Sequence, residues 1–162
     1  MPELTTAHKD AIRKSWGLVA QDVKGNGVAI FLRLFQDYPH LKDYFTIFRN
    51  MSQEEMANSP VMRAHGSSVI FQLSSVIDSL DDLDCMVEIW KKVIINHLGR
   101  GIEKMEPYEN VFTTVLNVLE EKLGAAGAWD AGTKEGWTVA VGAMHGIIKA
   151  TLEEQVKLKG KK

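Results

Sequence analysis

The chain is poor in the residues that interrupt or staple a fold. It has one cysteine, Cys85, so no internal disulfide can form. No Cys/His cluster has the spacing of a zinc site. Prolines number four, Pro2, Pro39, Pro60 and Pro107. Each lies where a helix can start, and the stretches between them are free to be helical. No apolar run is long enough to span a membrane. The residues from Met1 to Thr6 lack the basic and apolar regions of a secretory signal, so a cytoplasmic location is expected. An excess of one charge is missing too. The formal net charge is -2, which implies no broad basic surface and no nucleic-acid partner. Repeats, low-complexity tracts and linkers are absent. With 162 residues and 45% hydrophobic content, the chain can bury one sizeable core, and residues 1–162 are expected to form a single domain.

What is present is helical periodicity. Thr5 or Thr6 can cap a first helix carrying Ile12, Trp16 and Val19 on one stripe. A second helix is expected from Gly27 to Gln36, with Ile30, Phe31, Leu34 and Phe35 apolar. Asn26-Gly27 is a hairpin signal, but neither flank alternates apolar and polar residues. Pro39 starts a short turn carrying Phe45 and Phe48, and residues 49–58 read as a polar loop. Ser59-Pro60 combines a capping hydroxyl with proline at the first helical position. The helix after it places Val61, His65, Val69, Leu73 and Val76 on one face. Met86 to Leu98 follows, with Trp90, Val93, Ile94 and His97 inward and Gly99 and Gly101 as the stop. Pro107 opens a helix to Leu123, and Trp129 to Val156 forms the last. Residues 157–162, rich in lysine, read as a frayed tail. About seven helices and no strand are expected.

Two histidines, His65 and His97, thus fall on separate apolar helix faces. Imidazole is a good iron ligand, and apolar walls suit the faces of a haem. On residue type alone, an ordinary core or boundary histidine is the commoner reading of His97, and His65 is readable as an exposed helix histidine.

The order of residues resembles the globin family over nearly the whole chain. Trp16 stands where globins keep a tryptophan on the first helix. Pro39 followed by Phe45 is similar to the proline and the haem-wedging phenylalanine of that family. His65-Gly66 with Val69 resembles the distal histidine, its glycine and the distal valine. His97 followed by Arg100-Gly101-Ile102 resembles the proximal histidine and the corner after it. The Lys24-Gly25-Asn26-Gly27-Val28-Ala29 stretch resembles intracellular molluscan globins, bivalve ones in particular.

The resemblance implies an all-α globin fold of seven to eight helices around a haem pocket, with haem b as cofactor. It implies His97 as proximal iron ligand, with a backbone carbonyl near Val93 orienting its other ring nitrogen. His65 is then either a hydrogen-bond donor to the gas or itself the sixth ligand. Phe31, Phe45, His65 and Val69 are expected to form the gas pocket. Tyr44, Val93, Ile102, Tyr108 and Val111 are expected to line the haem, and Gly27 and Gly66 to let two helices cross closely. Ser68 replaces a basic residue that often meets a propionate, so Arg100, Arg49 or Lys92 is expected there. His8, His40 and His145 read as surface histidines, and Cys85 as an inert thiol. The implied partners are dioxygen, carbon monoxide and nitric oxide. The implied function is reversible oxygen storage or transport rather than enzymatic turnover. The alternative is a bis-histidine or redox-active globin, acting in nitric oxide dioxygenation, electron transfer or sensing. The chain is expected to be a monomer or a homodimer.

Overall fold

The computed structural model describes residues 3–161, so Pro2 and Lys162 lie outside it. Seven α-helices account for most of the described chain: α1 (Thr6–Val19), α2 (Val23–Asp37), α3 (Gln53–Ala57), α4 (Pro60–Asp78), α5 (Leu83–Leu98), α6 (Glu106–Ala125) and α7 (Ala131–Gly160). Two 3-10 turns, Ala20–Asp22 and Pro39–Tyr44, connect them, and the described residues contain no strand.

Side-chain caps set most helix starts. Thr5 accepts from His8 N, while the His8 ring accepts from Thr5 N, so α1 opens on a reciprocal pair. Ser59 accepts from Met62 N with Pro60 as the first residue of α4, as its sequence implies. Other caps move the expected boundaries. Asp22 accepts from Gly25 N and starts α2 four residues before Gly27. Asp82 accepts from Cys85 N and starts α5 at Leu83 rather than Met86. Asp130 starts α7 just after Trp129.

Two expectations about loops are corrected. Residues 49–58 contain α3, because Ser52 and Glu55 form a second reciprocal cap ahead of the buried Met56. Residues 157–160 are not frayed: α7 continues to Gly160, and Lys159 pairs with Glu103 at 2.5 Å. Val61 is also misplaced by the stripe argument. It lies in the first turn of α4 and is exposed, beyond the reach of the elements that cover Met62 and Ile70.

The core falls into two clusters. The larger joins α1, α4, α5, α6 and α7 around Ile12, Trp16, Ile94, Leu119, Trp137 and Ile148. The smaller gathers Phe31, Leu34, Phe35, Leu41, Phe48, Met56 and Met62 under the corner between α2 and α4. Each such side chain contributes about 1.5–3 kcal/mol on burial. Val69 of α4 and Val111 of α6 pack against both clusters. The seam they mark is where the packing opens.

Candidate functional site: a cavity between two histidines

A cavity of about 460 Å³ lies along this seam, within the range of pockets that hold a sizeable organic cofactor. His65 from α4 and His97 from α5 both line it, and so do Phe31, Tyr44, Phe45, Val69, Val93, Arg100, Ile102, Tyr108 and Val111. The structure therefore brings the expected pocket residues to one space. Leu34, Leu41, Leu73, Trp90 and Phe112 complete its apolar wall.

His97 sits in the last turn of α5. Its Nδ1 donates to the carbonyl of Val93 at 2.6 Å, the acceptor expected one turn back. That bond fixes the ring and leaves Nε2 with the free lone pair. The ring also lies 5.6 Å from that of Tyr108, centroid to centroid. Burial lowers the His97 pKa; the Val93 bond raises it and Arg100 lowers it. His65 is held differently. Its imidazole meets the ring of Phe31 edge to face at 4.6 Å and that of Phe45 at 5.1 Å. Burial, then the charge of Arg100, then His97, push it down to about 4. Both imidazoles are thus neutral at pH 7, as a metal ligand must be.

The cavity mouth is polar. Ser68, Gln72, Asn96 and Arg100 line it. The Ser68 hydroxyl donates back to Ala64 O at 3.0 Å, which leaves Gln72, Asn96 and Arg100 free to meet a guest. Of the three basic residues expected here, Arg100 alone lines the cavity. Arg49 turns away to donate to the carbonyl of Asp43 at 2.9 Å, and Lys92 is exposed outside the lining. Gln72 went unnoticed in the sequence, although its spacing after His65, Ser68 and Val69 places it on their helix face.

Two lining side chains, Trp90 and Tyr108, carry buried polar atoms, Nε1 and Oη, with no hydrogen-bond partner. The reading of three histidines as surface groups holds for His40 and needs revision for His8 and His145. His40 is exposed and pairs with Glu106 at 2.6 Å. His8 is half-buried in its cap. His145 lies against Phe112, ring centroids 5.4 Å apart, with its Nε2 buried and unpartnered. Its position on α7 places it beneath α6, which helical spacing alone does not reveal.

This donor set fits a flat macrocyclic iron complex. Among the described residues no three His, Cys, Asp or Glu side chains come together to hold a metal. An iron between His65 and His97 therefore needs its remaining ligands from a group that fills the apolar slot. Nε2 of His97 is directed for it by the Val93 bond, and polar residues gather at one edge.

Comparison with known proteins agrees with this architecture. The sequence profile of the globin family matches residues 28–148. A globin of Nerita albicilla is 35% identical over 93% of this chain and 94% of its own length. Globin-1 of Anadara broughtonii is 38% identical over 74% of this chain and 80% of its own. A hexacoordinated haem protein from an anhydrobiotic tardigrade, solved at pH 4, superposes with a TM-score of 0.84 at 19% identity, over 93% of this chain and 96% of that one. The chain belongs to the globin family, and its similar relatives include molluscan globins.

Proposed function

We propose that the protein holds haem b in this cavity and binds dioxygen reversibly, for storage or transport in the cytoplasm. The observation that carries the reading is the pair of neutral imidazoles, His65 and His97, lining one apolar cavity on different helices. When bound, the haem supplies an iron(II) that takes a diatomic gas. His97 would hold it through Nε2, oriented by the Val93 carbonyl. Gln72, Asn96 and Arg100 would bind its polar groups, and Val69, Ile102, Tyr108 and Val111 would pack against it.

His65 has one N–H to donate. A charge-assisted hydrogen bond from it to a polarised gas would contribute about 1.5–3 kcal/mol. That amounts to roughly ten- to a hundredfold in affinity. Carbon monoxide develops less charge and gains less. Phe31 and Phe45 keep the imidazole in place and exclude water from the gas pocket. Carbon monoxide and nitric oxide fit the same space. The absorption spectrum of the ferrous protein, recorded with and without oxygen, tests the reading: a reversible change on oxygenation is expected, and rapid irreversible oxidation overturns it.

The second reading is that His65 itself ligates the iron until a gas displaces it, with redox or nitric oxide chemistry as the outcome. Its support is that His65 is neutral and already inside the cavity. A six-coordinate ferrous spectrum that His65→Leu abolishes would favour it.

A further inference from the structure

The start of α2 is built from residues that do not favour a helix. Gly25, Asn26 and Gly27 stand in a row there, and all three are poor helix formers. Gly27 is accounted for by its neighbour on α4: a Cβ on Gly27 would strike the backbone of Gly66. Successive helix residues point about 100° apart. A roll of α2 by one position would therefore bring Asn26 or Val28, each with a Cβ, into that contact. The two helices can cross at one roll of α2 only. The same roll aims Phe31, one turn after Gly27, at the ring of His65, 4.6 Å away. His65 adjoins Gly66, so its place in the cavity depends on how α2 is held.

What holds that first turn is polar and buried. Asn26 is 7% exposed. Its Nδ2 donates to the carbonyl of Val19, the last residue of α1, at 2.7 Å. Its Oδ1 accepts from Lys122 Nζ on α6. Both ends of the amide are thus bonded, each to a different helix. Arg33, two turns further along the same face of α2, donates to Glu121 of α6 at 2.8 Å and to Asp37 at 2.8 Å. Exposed pairs of that kind hold a helix weakly. A buried amide with both ends engaged admits one orientation, because turning it leaves a donor and an acceptor without partners. Helix formation and burial by themselves would be better served by an apolar residue at position 26.

We propose that Asn26 is a positioning residue: with Val19 and Lys122 it fixes the roll of α2, and through Gly27 and Phe31 it sets where His65 stands in the cavity. That a gas reads this placement rests on the function proposed above; the placement itself does not.

Asn26→Leu removes both bonds at similar volume. Lys122→Met removes one of them from an exposed position, where folding is not at stake, and Lys122→Arg keeps a donor. Lys134→Met is the control, since it breaks an exposed pair between α7 and Glu120 of α6 that does not touch α2. In the haem-free protein the imidazole proton resonances of His65 carry ring-current shifts from Phe31 and Phe45. Asn26→Leu and Lys122→Met should move these resonances toward their unfolded-chain positions, while Lys122→Arg and Lys134→Met leave them in place. In the carbon monoxide complex of the haem-loaded protein, the same two variants should shift the C–O stretch toward its value in His65→Leu. Dioxygen release should quicken by roughly three- to tenfold in them, a part of the loss expected on removing the hydrogen bond, with a smaller change for carbon monoxide. A merely structural role for Asn26 would lower the urea midpoint and leave both resonances and stretch unmoved; that result overturns the proposal, as does an equal shift in Lys134→Met. A haem-loaded protein that forms no carbon monoxide complex overturns the functional reading instead, and the resonances of the haem-free protein still decide the placement.

Discussion

Gly27 of α2 and Gly66 of α4 meet backbone to backbone: a Cβ on Gly27 would lie 2.5 Å from the Gly66 carbonyl carbon, and one on Gly66 2.6 Å from that of Gly27. Backbone cannot swing aside as a side-chain tip does, so either methyl must push the two helices apart. Because Gly66 adjoins His65, that crossing sets how deep the imidazole sits. Gly66→Ala is expected to cost about 1–3 kcal/mol, measured by urea unfolding. Gly142→Ala, on α7 with nothing within 4 Å of its Cβ, should instead stabilise by about 0.5–1 kcal/mol. Equal effects at the two sites would mean that the crossing is not tight.

His97→Gly should release haem readily, and added imidazole should restore the ferrous spectrum by occupying the vacated space. An unchanged spectrum in the variant rules His97 out as the iron ligand.

His65→Leu should speed oxygen release by roughly ten- to a hundredfold and hasten autoxidation. Carbon monoxide binding should change much less or tighten. Stopped-flow displacement with both gases makes the comparison, and equal changes would argue against a hydrogen bond.

The haem-free protein should lose stability as the pH falls from about 6.5 to about 4. In that window the unfolded chain takes up a proton that folded His65, lowered to about 4, refuses. Protonation therefore favours unfolding, with a slope of up to about 1.4 kcal/mol per pH unit from this group. His97, lowered in the same direction, adds to it. Urea midpoints across the range should show a shallower dependence in His65→Leu; an identical slope would mean that burial is not what keeps the ring neutral.

The chain should sediment as a monomer at micromolar concentration and bind oxygen with a Hill coefficient of about one. Val93, one turn before His97 on α5, is a small side chain and a poor moving part for coupling two sites. Phe71 and Leu83, exposed on α4 and α5, are the side chains a second copy would cover. A dimer with a coefficient clearly above one contradicts this.

The sequence by itself determined six of the seven helices, though not α3 or every helix start, and the two histidines on separate apolar faces. These are local matters: caps form within three residues, and a helical stripe repeats within one turn. Even the Val93 carbonyl could be named, because it lies one turn before His97 on the same helix. The tertiary structure decided what meets across elements. It set His145 against Phe112, turned Arg49 away from the cavity and left Arg100 beside it. It also drew Val19, Asn26 and Lys122 together from three helices. Such contacts depend on how seven helices pack in three dimensions, and the spacing of residues along one helix does not specify them.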